Sequence, residues 1–266
     1  MPVSLVCCGL IGTMVTDGGM VDRAFTEAIA TQGVVTGTAA YARCMALVHQ
    51  RRGEPAADVL QAVFPDSQAR GQAAYLALDL SVYDAIGRMG ASPVPGAVPA
   101  IEKLASAGIR VCVITSFSRR VLNLVLDTLG WLDRIDLALA PEDVPRGAPW
   151  PDPVLTAMLR LGITDVRETA VAHDTDSGIL SGRRAGAGIA VGVLTGPHSG
   201  DRLRRSGATH LIPSVAQLPD LLIPAEDQAP RSATDYPAAD SPPHVASAAA
   251  SPPAVNAESQ ERTRHG

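Results

Sequence analysis

The chain has 266 residues, 46% of them apolar and only 3% aromatic, with a formal net charge of −5. That length suits one large core, or a core with a small second domain, built from Val, Leu, Ile and Ala. No apolar stretch approaches the roughly 20 residues that cross a bilayer, and no dense basic stripe offers a nucleic-acid surface.

The first element is the apolar run at residues 3–8, which ends in a turn at Gly12-Thr13. No basic region precedes it, so it reads as a strand and a signal peptide is not expected. Residues 21–30, 38–50, 56–63 and 68–89 have helical spacing, with no strand among them. From residue 97 the pattern changes. A helix at 97–107 stops at Gly108, and a β-branched strand follows at 110–114. Helix 118–129 ends at Gly130, then come strand 135–139, helix 152–161 ending at Gly162, and strand 169–172. Helix 176–185, strand 189–194, helix 201–206, strand 210–212 and a closing segment at 215–222 complete the series. Such alternation predicts parallel crossover units and a doubly wound sheet. From Pro224 to Gly266 the chain turns to Pro, Ala, Ser and charge, too poor in large apolar residues to offset chain entropy, and is expected to be a disordered acidic tail. The four cysteines, at 7, 8, 44 and 112, lack metal-ligand spacing, which suits a reduced, cytoplasmic setting. Cys8 adjoins a position of interest below, but strand alternation turns it to the opposite side, into the core.

Four motifs carry a family resemblance. The segment Val3-Ser-Leu-Val-Cys-Cys-Gly-Leu-Ile-Gly-Thr-Met-Val resembles the first motif of the haloacid dehalogenase superfamily, Asp-x-Asp-Gly-Thr, or Asp-x-Ala-Gly-Thr in its phosphonatase-like branch. Val111-Cys-Val-Ile-Thr115-Ser-Phe-Ser-Arg resembles the second motif, and Leu129-Gly130-Trp131 adds to the likeness. Gly147-Ala148-Pro149-Trp150-Pro151-Asp152 stands for the third, Gly-Arg-Pro-x-Pro-Asp. His173-Asp174-Thr175-Asp176-Ser177-Gly178 stands for the fourth, Gly-Asp-Thr-x-x-Asp. The likeness spans nearly the whole body and is closest to phosphonatase-like and phosphoglycolate-phosphatase-like members.

The resemblance implies an α/β fold: a doubly wound parallel-sheet core of residues 1–17 and 91–223, with an α-helical cap of residues 18–90 inserted after the first strand. Substrate then lies between cap and core, at the carboxyl ends of the strands. It also implies an aspartyl-phosphate mechanism, which needs a nucleophile, a cation and a magnesium site. Here the nucleophile position falls on Gly9 and the second position on Ile11. The cation's place is taken by Ala148, and the last acid's by Gly178. Phosphonatase proper also uses a cap lysine, and the sole lysine is Lys103, before the second strand.

Several groups remain as candidates. Thr115 matches the phosphoryl-binding hydroxyl, or else caps the next helix. Thr13, Ser116 and Arg146 are further ligand-binding candidates, Arg146 alternatively being a solvated loop residue. His173 and Asp174 are weak catalytic candidates, and a lone strand-end histidine is more often structural. Asp174 and Asp176 are weak metal candidates, Asp176 having helix capping as its simpler role. A lone carboxylate binds magnesium weakly at best, so no cofactor is expected. The leading expectation is a non-catalytic descendant that binds a small anionic or phosphorylated metabolite, or a protein partner. Amides at the Gly12-Thr13 turn and the helix start near Asp176, together with the Thr115 hydroxyl, would hold the anion. The alternatives are a hydrolase using displaced groups and a structural role.

Overall fold

The structure, a computed structural model, describes residues 2–224. The expected tail, Pro224 apart, lies outside them. Six strands, β1 (Leu5–Gly9), β2 (Arg110–Ile114), β3 (Leu137–Leu139), β4 (Thr169–His173), β5 (Ile189–Val193) and β6 (His210–Ile212), form one parallel sheet in the order β3-β2-β1-β4-β5-β6. Four helices follow β1 before any further strand: α1 (Met20–Thr31), α2 (Ala39–Gln50), α3 (Ala56–Val63) and α4 (Gln68–Met89). The rest alternate with the strands: α5 (Ala97–Ser106), α6 (Arg119–Leu129), α7 (Asp152–Leu161), α8 (Asp176–Ala185), α9 (Gly200–Arg205) and α10 (Leu218–Leu222). Among the described residues no helix is long and apolar enough to cross a membrane.

Strand alternation divides the core in two. Val6, Cys8, Val111, Val113, Ala170 and Ala172 face one layer, which continues into α5, α6 and the helical insert. Leu5, Cys7, Cys112, Ile114 and Val171 face the other, packed on α7 and α8. Cys8 is therefore buried away from the first-motif turn, as alternation requires. Burial pushes its thiol up, with Cys7 adding to the effect, so it offers no thiolate.

Hydroxyls set several helix starts: Thr38, Ser67 and Ser118 accept from the amides of Tyr41, Arg70 and Val121. The cap of α6 is thus Ser118 and not Thr115. The third strand is shorter than the apolar run suggests, and the closing segment is a 3-10 turn followed by α10.

From β1 the sheet grows through β2 to β3 on one side, then restarts at β4 and grows through β5 to β6 on the other. The switch point lies between β1 and β4, where connections diverge and leave a crevice at the carboxyl ends. Cys8 pairs with Ala172 in the register, so the crevice opens at the next residues, Gly9 and His173.

Candidate functional site

His173 closes β4 and points to the same side as Val171, toward α8. Two glycines one helical turn apart, Gly178 and Gly182, let α8 approach. A Cβ on Gly182 would lie 2.3 Å from Val171 Cγ2, and a Cβ on Gly178 would lie 2.3 Å from His173 Cγ and Nδ1. Across the crevice, a Cβ on Gly9 would lie 2.6 Å from Thr13 Oγ1 and 2.9 Å from His173 Nδ1. The imidazole therefore fills the space that side chains at 9 and 178 would enter. Where the superfamily pattern pairs a glycine at 173 with an acid at 178, this chain pairs a histidine with a glycine.

The ring is 7% exposed, and neither nitrogen has a hydrogen-bond partner among the described residues. Burial pulls its pKa down to about 4, so the ring is neutral near pH 7.

Asp174 is buried beside the Gly12 turn. Thr13 Oγ1 donates to its Oδ1 at 2.7 Å and accepts from its amide at 3.2 Å. A Cβ on Gly12 would come within 2.2 Å of Asp174 Oδ2, and one on Gly196 within 2.0 Å, so two turns clasp the carboxylate. Gly12 has φ +94°, a conformation that disfavours side chains in any case. Burial raises the Asp174 pKa against the Thr13 hydrogen bond. This places Thr13, offered by the sequence as a ligand contact, in service to Asp174.

Asp176 is engaged elsewhere. Its carboxylate accepts from Arg202 Nε at 2.7 Å, and His198 Nδ1 lies 3.2 Å from it and 3.0 Å from its amide. Burial opposes ionisation, but the contacts with His198 and Arg202 outweigh it and hold the pKa below the ordinary value. Arg202 Nη2 also donates to Gln50 O at 2.6 Å, tying α9 to the end of α2, where the loop to α3 begins. That loop is fastened twice more, by Ser177 Oγ to Arg52 O at 2.8 Å and by the Ala56 amide to Ser116 O at 2.9 Å. Arg52 itself pairs with Asp17 at 3.0 Å and Asp22 at 2.5 Å, and its charge favours ionised Asp174. Arg52, His198 and Arg202 were not singled out from the sequence. The only signal was the Arg51-Arg52-Gly53 doublet between two helices.

The crevice forms a cavity of about 50 Å³ whose walls include Gly9, Ile11, Thr115, Ser116, Ala148 and His173. No Asp, Glu, Lys or Arg lines it. Thr115 Oγ1 accepts from the Phe117 amide at 3.2 Å, leaving its hydroxyl proton to point elsewhere. Arg146 does not reach the cavity. Asp152 holds its guanidinium at 2.9 and 3.0 Å, and it stacks 4.4 Å over the Trp150 ring. A neighbouring cavity of about 40 Å³, which shares Ile11, Ser116 and Thr175 with the first, does contain charge: Asp174 lines it, together with Arg52 paired to Asp17 and Glu54 paired to Arg51.

The superfamily resemblance implies magnesium, and the donor set does not fit it. Positions 9, 11 and 178 carry no side-chain oxygen, Asp174 is held by Thr13 between two turns, and Asp176 is paired with Arg202. Among the described residues no group of three or more His, Cys, Asp or Glu is placed to hold a metal.

Comparison with known proteins agrees with the motif outline. The family model described as haloacid dehalogenase-like hydrolase matches residues 5–186. A phosphonoacetaldehyde hydrolase of Pseudomonas fluorescens is 38% identical over 96 residues, which is 35% of this chain and 34% of that protein. One of Bordetella pertussis is 32% identical over 160 residues, 50% of this chain and 57% of its own length. The chain thus matches between a third and somewhat over half of these curated relatives. A hydrolase structure from Pseudomonas syringae superimposes with a TM-score of 0.71 at 21% identity, covering 85% of this chain and all of that one. A predicted phosphoglycolate phosphatase from Haemophilus somnus gives 0.67 at 15% identity, covering 82% and 97%. These likenesses establish the α/β fold, and the family match establishes kinship: the chain belongs to the haloacid dehalogenase-like hydrolase family.

Proposed function

We propose that this protein has left the aspartyl-phosphate chemistry of its family and binds a small metabolite between an α-helical cap, residues 18–90, and the sheet. One observation carries the reading: the His173 ring lies where side chains at 9 and 178 would have to be. The reactive groups were therefore not merely substituted; the volume they would use is filled. The cap loop is meanwhile fastened to the core through Ser177, Ser116 and Arg202, so a covered cavity persists without the chemistry. The buried cysteines fit a reduced, cytoplasmic protein. The test is a panel of phosphate esters and phosphonoacetaldehyde with and without magnesium, for which no turnover above background is expected.

A second reading, hydrolysis by displaced groups, draws support from the unpartnered neutral imidazole beside Ser116 and Thr115. His173 would then act as a general base on a water in the cavity. Magnesium-independent hydrolysis of an activated ester, lost in His173→Phe, is its signature.

A further inference from the structure

Resting on the non-catalytic binding reading, we propose that the cavity beside His173 selects a small uncharged ligand, an amide or alcohol, over a phosphorylated metabolite or carboxylate.

The first ground is charge. Nothing ionised lines the cavity, and the nearest guanidiniums are committed, Arg146 to Asp152 and Arg52 to Asp17 and Asp22. An anion entering would lose its hydration without gaining a cation, which is strongly unfavourable in an apolar surrounding. The second ground is the fate of the amides. The Gly12 amide donates to Val15 O at 2.7 Å, and that of Thr115 to Leu139 O at 3.0 Å. The Phe117, Asp176 and Ser177 amides donate to Thr115 Oγ1, His198 Nδ1 and Asp176 Oδ1. These five turn and helix-start amides are therefore already used inside the protein, which leaves fewer donors for an oxyanion.

What remains unspent is neutral and two-sided. A neutral imidazole offers one N–H and one lone pair, and both His173 nitrogens lack partners. The Ser116 hydroxyl forms no hydrogen bond among the described residues, and the Thr115 proton is available beside it. A ligand carrying both a donor and an acceptor satisfies this set; a carboxylate, having only acceptors, leaves the imidazole lone pair facing negative charge, and a phosphate brings charge that no free cation meets. The volume of about 50 Å³ exceeds the roughly 10–15 Å³ that one water needs, so a molecule of the size of acetamide fits.

Acetamide and acetate have the same shape and differ in charge, so they form the test. The full-chain protein, labelled with 15N at histidine, is titrated near neutral pH while the His173 ring nitrogens are followed by NMR. Acetamide should shift them saturably, with a Kd in the millimolar range and about tenfold or more below that of acetate or inorganic phosphate. Ser116→Ala, which leaves the ring in place, should weaken acetamide at least about threefold, a direction expected of a lost hydrogen bond. Acetate or phosphate binding as tightly as acetamide overturns the inference, as does the absence of saturation by acetamide at about 100 mM. Either result leaves the non-catalytic reading standing if phosphate esters are not turned over, whereas turnover sinks that reading itself.

Discussion

A Cβ on Gly178 would lie 2.3 Å from Nδ1 of His173, so the glycine in the last acid's place and the histidine in the glycine's place require each other. Glycine inside a helix ordinarily costs about 0.5–1 kcal/mol relative to alanine. At this position the sign should reverse. Gly178→Ala is expected to destabilise by about 1–3 kcal/mol through overpacking, because the close atoms are the ring's base and not a flexible tip. In a His173→Ala background the same change should become neutral or stabilising. Denaturant unfolding of the four proteins measures the coupling; additivity would show that the two residues do not compete for one space.

Restoring Gly9→Asp alone should yield no phosphatase activity. Its Cβ would lie 2.6 Å from Thr13 Oγ1 and 2.9 Å from His173 Nδ1, so the carboxylate has no seat, and the cation and metal groups remain absent. Catalytic groups acting as a unit do not return singly. Steady-state assay of the purified variant with magnesium is the check, and substantial turnover would refute the account.

Acid should weaken the fold through His173. Its folded pKa of about 4 lies below the ordinary 6.5, so the unfolded chain binds the extra proton first. Stability from this group is complete above pH 6.5 and falls by up to about 3 kcal/mol as the pH drops toward 4. Asp176, held low, loses its contribution only below the ordinary carboxylate range, while Asp174, held high by burial, works in the opposite direction. Comparing wild type with His173→Phe across this range isolates the histidine: the variant's slope should be flatter.

The loop after α2 should loosen when its tie to α9 is cut. Arg202→Ala removes the donors to Gln50 O and leaves the half-buried Asp176 carboxylate with fewer partners, at about 1–3 kcal/mol. Hydrogen exchange at residues 50–56 should accelerate while the amides of β1 and β4 stay protected.

The sheet and its helices were legible because Val and Ile runs such as residues 110–114 alternate with helices ended by Gly130 and Gly162. The vacant motif positions were legible too, since Gly9, Ile11, Ala148 and Gly178 are visible by counting. What counting missed is that Gly9 and Gly178 share one neighbour. His173 stands 164 positions after Gly9, and only the register of β1 on β4 brings them together. A strand-end histidine had no visible partner in sequence, so it looked merely structural. Asp176 does sit at a helix start and accepts from the Ser177 amide, as its simpler role required, but its partners Arg202 and His198 were hidden because they reach it from beyond β5. Arg146 appeared free because its stacking on Trp150 and pairing with Asp152 depend on the loop's path.

On the proposed reading, His173 fills the site and no magnesium-dependent chemistry remains. Turnover of p-nitrophenyl phosphate by wild type and Asp174→Ala, with and without magnesium, tests it most directly. Wild type should show no magnesium-dependent rate and match the variant. A magnesium-dependent rate abolished by Asp174→Ala would show instead that the family's chemistry survives in this site.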